Sequence, residues 1–418
     1  MRTIRICNIG PIKEATLNLN KVNVIMGPQS SGKSTIAKLV SYCQWVEKRF
    51  ILDGEFEYNF SEQFMEFHRV SDVYFNENSI IEYQSDSVKI SYTGISNKQI
   101  ILKVSEALNT SYYNNKNIYI PAERNFVSVI PDLGKYKRTN DNIMNFLYDW
   151  YEVKNKYSKD NKFPILNLGI SYYHIKEKDS DILLLNEDKK ELLLNNASSG
   201  LQSVLPMLLL MDYLTQALYN EKSTESVNEK EEMKKVINFF VKDFLNRLDN
   251  TERKNEFIQL IEENKFPFNK DEFDEIGKTY EARIKYHFSN FIIEEPEQNL
   301  FPKTQRDLIY YMIDIVNNTE RDHKLLLTTH SPFILYALNN CMMGYLIKEK
   351  MPKDEQTELI SSKSWIDPKL VSVWEIEENL GTLKLIQDEN TGTISKNYFN
   401  SIMNEVMNEY YEMLNYLD

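Results

Sequence analysis

The sequence predicts an α/β fold that combines a mixed sheet, an antiparallel β subdomain and a helical insertion. Three observations support this prediction. A short apolar strand leads into a glycine-containing loop and a helix at 22–43, and strand and helix alternate again after 289. Between these regions, three apolar runs at 170–196 have the length of strands, and 220–288 is charge-rich with a helical pattern. We expect a single domain over 1–418.

The first elements follow from hydrophobic periodicity. Thr3–Ile6 and Ala15–Leu19 alternate with the period of two that is typical of strands, and Val22–Met26 is a short apolar strand. A glycine-containing loop comes next. The segment after it predicts an amphipathic helix, with one face made of Ile36, Leu39, Val40 and Cys43.

The middle of the chain mixes both types of element. Residues 55–104 are strand-rich, with a hairpin predicted at 79–94, and Lys116–Pro121 reads as another strand. Residues 123–158 have a helical pattern and are rich in tyrosine, asparagine and lysine. The runs at 170–196 predict a small antiparallel sheet.

An apolar helix is predicted from about 199 to 219. Because proline lacks an N–H group, we expect Pro206 to break or kink it. Residues 220–288 follow as a predicted helical insertion. A solvent-exposed arm and a helical subdomain packed on its own domain both fit its amphipathic stripe, which consists of Met233, Val236, Ile237, Phe240, Val241, Phe244, Leu245 and Leu248. Strands near 369–387 and a helix at about 396–416 end the chain.

Composition limits the classes of function. The chain is 42% hydrophobic and 27% charged, with a net charge of −13. This acidic balance argues against a surface dedicated to bare nucleic acid, although it leaves room for a local basic groove. Three scattered cysteines predict neither a disulfide framework nor a zinc site and favour a reducing cytoplasm. The longest apolar run, Val204–Met211, is too short to span a bilayer.

The loop at 27–35 matches the phosphate-binding pattern G-x-x-x-x-G-K-[ST] in full. Glycines let backbone N–H groups surround phosphates, the lysine reaches the β and γ oxygens, and the serine hydroxyl binds Mg²⁺. Because a strand precedes the loop and a helix follows it, we expect ATP and Mg²⁺ as ligands. The predicted contact residues are Gly27, Pro28, Gln29, Ser30, Ser31, Gly32, Lys33, Ser34 and Thr35.

A second buried run, Phe291–Ile293, ends in adjacent acids. Buried carboxylates are costly unless a cation balances them. If the Mg²⁺ of the phosphate loop is that cation, Glu294 holds the metal and Glu295 orients and deprotonates the attacking water. The alternative interpretation is an exposed turn with three acids, the third being Glu297.

A third run, Lys324–Thr329, ends before His330 and a further helix. Parallel sheets place their sites at the carboxyl ends of strands, so His330 is expected to approach the γ-phosphate or the attacking water. A lone histidine is more often structural. At 195–203, small hydroxyl residues and a glycine open an apolar helix whose N-terminus could bind an anion, although a serine there is usually only a cap.

Along the chain, the phosphate loop, the segment at 195–203, the acid pair and the His330 segment resemble the motifs of an ABC-type ATPase head. More narrowly, they resemble the AAA_15/AAA_21 group of SMC-like ATPases, which includes the OLD (overcoming lysogenisation defect) proteins. "EEPEQNLFP" is similar to the group's E-E-P-E-x-x-L-x-P motif and "TTHSPFIL" to its T-x-H-S-P segment. "YIPAERN" is similar to a strand found in its members, in which Arg124 could sense nucleotide or form a structural ion pair.

The resemblance implies a role for each motif residue. Lys33 and Ser34 would bind phosphate and metal, Glu294 the metal, Glu295 would be the general base and His330 the switch histidine. In ABC-type ATPases the signature of one subunit completes the ATP site of the other. The resemblance therefore implies a homodimer or higher oligomer held together by ATP.

Ser198 and Gly200 would form that signature. The segment Ala197–Leu201 differs from the transporter signature L-S-G-G-Q, which disfavours a transporter subunit. Asn299–Pro302 stands where the family often has H-L-H-P, in a segment that contacts the other subunit.

OLD nucleases carry a TOPRIM domain after the ATPase, but only 88 residues follow His330 and we find no such acidic pattern in them. The sequence therefore predicts a stand-alone ATPase that regulates a separate effector, a nuclease or toxin, as in Septu, retron-associated and PARIS anti-phage systems. The alternative is a DNA-repair or DNA-tethering SMC-type ATPase that binds nucleic acid. A P-loop kinase would need neither His330 nor Ser198.

Overall fold

The computed structural model describes residues 2–103, 112–130, 141–220, 285–395 and 397–417, together with the single residues 254, 259 and 282. In chain order the strands are β1 (Arg2–Ile9), β2 (Ile12–Leu19), β3 (Val22–Met26), β4 (Ile80–Gln84), β5 (Val88–Thr93), β6 (Lys98–Lys103), β7 (Asn115–Ile120), β8 (Phe163–Pro164), β9 (Ile170–Ile175), β10 (Ser180–Leu185), β11 (Lys190–Leu193), β12 (Phe288–Glu294), β13 (Lys324–Thr329), β14 (Val371–Ile376) and β15 (Leu383–Leu385).

The helices of the described residues are α1 (Lys33–Asp53), α2 (Phe60–His68), α3 (Phe126–Val129), α4 (Asn142–Lys154), α5 (Ser199–Asp212), α6 (Leu218–Asn220), α7 (Pro302–Asn317), α8 (Pro332–Ile347), α9 (Lys353–Glu358) and α10 (Tyr398–Leu414). A π-helical turn, Tyr213–Ala217, joins α5 to α6. No helix in the described ranges is both long and apolar enough to cross a membrane.

The central sheet is mixed, as predicted. Within the described chain its strand order is β15-β14-β3-β13-β12-β7, and β15 alone runs antiparallel to its neighbour. The strand β3 lies in the middle, and all five of its residues are buried. Because the other strands are parallel, their carboxyl ends meet along one edge of the sheet.

Both faces of this sheet are covered, which explains why its strands are continuous apolar runs. Alternate residues of β3 point into two different cores: Val24 into one and Ile25 into the other. The first core includes residues of α4, α5, α7 and α8. The second includes residues of α1, α2 and the strands β1, β4 and β5.

Two antiparallel sheets flank the central one in the described part of the chain. One has the order β2-β1-β4-β5-β6 and contains the predicted hairpin of β4 and β5. The other has the order β11-β10-β9-β8, which confirms the small antiparallel sheet predicted at 170–196. The α/β fold class with its antiparallel β part is therefore confirmed.

The prediction for 55–104 was incomplete, because α2 lies inside this region. Its Asn59 side chain caps the helix by accepting a hydrogen bond from the Glu62 N–H. Phe60 and Phe64 are then buried one turn apart, so burial of one apolar face stabilises a nine-residue helix. The helical pattern at 123–158 is confirmed in α3 and α4, with 131–140 outside the described residues.

Pro206 was predicted to break or kink its helix, and the break is wrong, because α5 is continuous from Ser199 to Asp212. Proline at 206 leaves the carbonyl of Gln202 without its helical donor. The Ser128 hydroxyl replaces that donor, with its Oγ 3.0 Å from the Gln202 oxygen. The predicted helical insertion at 220–288 falls almost wholly outside the described residues.

Candidate nucleotide-binding site

The predicted motif residues converge at the carboxyl edge of the central sheet. Strand register places Met26, the last residue of β3, beside Thr329 on one side and Glu375 on the other. Glu294 pairs with Thr328 on the next strand. The phosphate loop, the acid pair and His330 therefore leave neighbouring strands at the same edge, as the alternation of strand and helix predicted.

The two glycines of the loop are required by its backbone. Gly27 has φ 155° and Gly32 has φ 106°, conformations that side chains disfavour. A Cβ atom on Gly32 would also lie 2.4 Å from Cδ1 of Ile12, so the Ile12 side chain would have to move. The Gly32 position is the N-cap of α1, and no side chain caps this helix end. Its first N–H groups are thus available to an anion.

Lys33 lies across the mouth of this loop. Its Nζ donates to the carbonyl oxygens of Gly27 at 2.9 Å and Pro28 at 2.6 Å. The side chain is almost fully buried, and burial lowers the pKa of the ammonium to about 8. The exposed tip of the loop is formed by Gln29 and Ser30.

Ser34 and Glu294 are in direct contact. The Ser34 hydroxyl donates to Oε2 of Glu294 at 3.1 Å, and Tyr119 donates a hydrogen bond to Oε1 of the same carboxylate. Burial raises the pKa of Glu294. A buried carboxylate with a raised pKa is a group that a nearby cation would stabilise in its charged form.

This pair fits Mg²⁺. A hydroxyl and a carboxylate are the hard oxygen donors that Mg²⁺ prefers, and the ion usually completes its shell with water and substrate phosphates. Ser34 and Glu294 would therefore hold the ion together with phosphate oxygens.

Glu295 lies beside His330. Oε1 of Glu295 is 3.2 Å from Nε2 of the imidazole, and this hydrogen bond is the main cause of a lowered pKa for the Glu295 carboxyl. The backbone at Glu295 has φ 44°, which is unfavourable for a residue with a side chain. Both side chains are one-third exposed, so water can reach the pair.

The third acid has a different environment. Oε1 of Glu297 accepts hydrogen bonds from Oγ1 of Thr329 at 2.8 Å and from the His330 N–H at 2.6 Å. Burial raises the pKa of this carboxyl. Glu297 therefore ties the turn after β12 to the end of β13 and keeps His330 next to Glu295. The three acids do not form the exposed turn of the alternative interpretation.

Arg124 is fully buried and hydrogen-bonded to backbone carbonyls. Its Nη1 and Nη2 each donate at 2.7 Å, to the oxygens of Glu294 and Glu295, and its Nε donates at 3.0 Å to that of Ser203 in α5. Burial lowers the pKa of this guanidinium to about 10. Arg124 therefore has a structural role, but its hydrogen-bond partners are backbone carbonyls and not the acid of the predicted ion pair. These contacts give no support to nucleotide sensing.

The predicted signature residues, Ser198 and Gly200, lie not on a strand end of the central sheet but at the start of α5. Ser198 is its N-cap residue, is exposed, and makes no capping hydrogen bond with its side chain. Gly200 packs against the turn after β12, where an added Cβ would lie 2.7 Å from the Asn299 oxygen. Phe301, in the same turn, is 75% exposed. The segments around Ser198 and Phe301 therefore form one adjoining surface.

Sequence reasoning missed Tyr119, the second partner of Glu294, and Ser128, which supports α5. Tyr119 is the first residue of the "YIPAERN" segment, in which the sequence drew attention only to Arg124, and Ser128 lies just outside that segment. Tyr119 reaches Glu294 because β7 pairs with β12 in a register that matches Tyr119 with Ile292. That register belongs to strands separated by more than a hundred residues, so local patterns do not contain it.

Two protein-family models match this sequence. The AAA domain model AAA_23 matches residues 3–307, more than half of the chain, and the chain therefore belongs to this family. The AAA ATPase domain model AAA_15 matches residues 289–335, the stretch with the acid pair and His330. Fold and site thus define an AAA-type ATPase domain, a class that hydrolyses ATP in general. A comparison with curated proteins finds no match.

Solved structures similar to this chain include an SMC head domain from Thermotoga maritima, with 9% identity, a TM-score of 0.39, and coverage of 93% of this chain and 98% of that one. The recombination mediator protein RecF has 10% identity, a TM-score of 0.30, and coverage of 92% and 97%. The dimeric ATP-binding cassette MJ0796, bound to ADP and Pi, has 12% identity, a TM-score of 0.23, and coverage of 79% and 89%.

Proposed function

We propose that this chain binds ATP with Mg²⁺ at the 27–35 loop and hydrolyses the γ-phosphate with Glu295 as general base. One observation carries the proposal: Glu295, hydrogen-bonded to His330, directly follows Glu294, which contacts Ser34 of the loop. The lowered pKa of Glu295 keeps its carboxylate ionised at neutral pH, as a base requires.

The chain's own groups have separate tasks in this reaction. The ammonium of Lys33 leaves the Gly27 and Pro28 carbonyls and binds the β and γ oxygens, while N–H groups at the start of α1 bind the remaining phosphate oxygens. Ser34 and Glu294 would hold Mg²⁺, which when bound would neutralise charge on the phosphates. Glu295 takes a proton from the attacking water, and His330 keeps the carboxylate oriented towards it.

The test is Glu295→Gln, which keeps the size of the side chain but cannot accept the proton. Loss of a general base costs about 10²–10⁴ in rate, so turnover should fall by that factor while ATP still binds. Phosphate release measures the first quantity and calorimetry the second. Glu389→Gln, at an exposed position remote from the motifs, is the matched control and should keep the wild-type rate. Turnover of Glu295→Gln at the wild-type rate would refute the assignment.

We also propose that two copies associate around ATP, with Ser198 and Gly200 of one copy completing the site of the other. The support is that Ser198 is exposed with no capping role for its hydroxyl, and that the neighbouring Phe301 exposes an apolar ring. A helix start whose N–H groups have no side-chain cap is suited to bind a phosphate held by a partner copy.

We further propose that this ATPase regulates a separate effector, a nuclease or toxin, in anti-phage defence. The support is the resemblance of its motifs to stand-alone ATPases of such systems, which is an argument from analogy. Co-purification with the proteins encoded beside it, with and without ATP, tests this step. Co-purification of a DNA-repair or DNA-tethering protein would instead favour the alternative SMC-type function.

A further inference from the structure

The last helix, α10, presents an unpartnered apolar stripe. Although it is 17 residues long, none of its residues is buried. Six large apolar side chains of this segment recur at alternating steps of four and three, the heptad spacing of helices that pack in coiled coils. The stripe continues one turn past the helix and consists of Phe399, Met403, Val406, Tyr410, Met413 and Leu417.

This stripe is exposed in the structure. Apart from Phe399, which packs against the core, each member of the stripe is more than half exposed. Isolated helices of this length are marginal in water, and most helix stability in proteins comes from burying an apolar face. A capping box at Asn397 starts α10, but nothing in the described chain covers the stripe. A second helix laid along the stripe would supply the missing burial.

Charge identifies the kind of helix that fits. Glu405, Glu409 and Glu412 are the side chains of 397–417 that carry charge at neutral pH, and this segment has no lysine, arginine or histidine. A second copy of α10 would bring no cation to these glutamates. In the heptad of the stripe Glu409 takes a flanking position, and Glu405 and Glu412 lie further from the stripe on the same side of the helix. A helix with lysine or arginine along that side would pair with them instead.

The start of α10 is attached to the nucleotide edge of the sheet. The Tyr398 N–H donates to Oε2 of Glu375 at 3.2 Å. Glu375 pairs in β14 with Met26, the residue before the phosphate loop. A partner bound along α10 would therefore be held next to the strand that carries the loop.

We propose that α10 is the docking surface for an amphipathic helix of a separate protein, with an apolar stripe flanked by lysine and arginine. The inference rests on the proposed function in one respect, the existence of a separate effector. The apolar stripe would supply most of the buried area, and the three glutamates would select the basic partner.

The experiment uses the full chain and two synthetic helical peptides of about three heptads with leucine at the core positions. One peptide has lysine and arginine at the flanking positions, and the other has glutamate there. Fluorescence anisotropy should show binding of the basic peptide that weakens with salt, and at least tenfold weaker binding of the acidic peptide.

The variant Val406→Glu with Tyr410→Glu interrupts the stripe and should weaken basic-peptide binding at least tenfold. Asn404→Glu with Asn408→Glu adds the same charge to the opposite face of α10 and is the matched control, which should bind at least as well as wild type. Failure of the basic peptide to bind, or equal binding by the stripe variant, would overturn the proposal. So would a change in oligomeric state of the stripe variant alone, because the occupant would then be a second copy.

ATP hydrolysis in the same samples separates this inference from the proposed function. Neither α10 variant touches the nucleotide site, so both should hydrolyse ATP at the wild-type rate. Peptide binding by a chain that hydrolyses no ATP would overturn the proposed function and leave the docking surface. ATP hydrolysis without peptide binding would overturn the docking surface and leave the proposed function.

Discussion

At Lys33, burial and charge act against each other. The ammonium is held by two carbonyls, but the desolvation that accompanies burial lowers its pKa to about 8. Because this pKa is close to neutrality, we expect phosphate binding to depend on pH between about pH 7 and pH 9. The cation needed for the phosphates is present below the pKa and is lost as the pH rises through it.

Nucleotide affinity should therefore fall above pH 8, by up to about tenfold per pH unit, because binding then requires uptake of a proton by Lys33. Calorimetric titrations with a non-hydrolysable ATP analogue at pH 7, 8 and 9 measure this. Lys33→Arg is the control: a guanidinium stays charged over the whole range, so its affinity profile should be flat. Lys33→Ala should lose measurable binding at every pH. A flat wild-type profile would contradict the assignment of Lys33.

At the scale of elements, Arg124 connects the turn after β12 with α5. Its planar guanidinium donates to carbonyls of both elements at once, which fixes the backbone of Glu294 and Glu295 relative to the helix that begins at Ser198. The proposed metal ligand and the proposed base are therefore positioned by a residue that need not touch ATP. If a partner moved the start of α5, the hydrogen bonds of Arg124 would transmit that movement to the backbone of Glu294 and Glu295.

Arg124→Lys should slow ATP hydrolysis by more than tenfold and leave ATP affinity nearly unchanged. A lysine cannot reproduce the fork of the guanidinium, so some carbonyls lose their donor at a cost of about 1–3 kcal/mol each. Steady-state kinetics, calorimetry and thermal unfolding separate the effects on turnover, affinity and stability. Arg49→Lys, in a surface ion pair with Asp53 within one helix, is the matched control and should change none of them. Wild-type turnover in Arg124→Lys would show that the fork is dispensable.

At the scale of the whole molecule, the proposed dimer makes a prediction in trans. Ser198→Arg should abolish turnover but leave ATP binding intact, because the added side chain would fill the space for the partner's γ-phosphate. Mixed with Lys33→Ala, it should regain partial activity, since one composite site of each heterodimer then has both intact halves. Phosphate release as a function of mixing ratio measures this. Inactive mixtures of two folded variants would argue against composite sites.

The isolated chain should hydrolyse ATP without cutting nucleic acid. Metal-dependent cleavage requires several carboxylates that converge on the metal ions. The acids that meet at the sheet edge are already engaged, Glu294 with Ser34 and Tyr119 and Glu295 with His330. The net charge of −13 also provides little general attraction to DNA. Plasmid and tRNA incubated with the chain, ATP and Mg²⁺ or Mn²⁺ should stay intact. Cleavage that survives Glu295→Gln would reveal a second active site.

The sequence by itself determined the parts of this protein that local rules govern. The loop at 27–35 has a complete motif, β3 is a buried apolar run, and the acids after Ile293 stand directly at a strand end. The type of each element, and the sheet edge at which these residues lie, could therefore be predicted without knowing which strands pair. The same rules failed for α2, where the helix cap of Asn59 within a strand-rich stretch decided the structure.

Only the tertiary structure decided which groups touch. Tyr119 meets Glu294, Arg124 spans two elements, and Ser128 supplies the donor that Pro206 lacks, each across a sequence separation that no local pattern encodes. Strand register and helix packing set these contacts, because they depend on how distant apolar faces fit together. The pKa of Lys33 belongs to this class as well, since burial lowers it and burial is a property of the assembled fold.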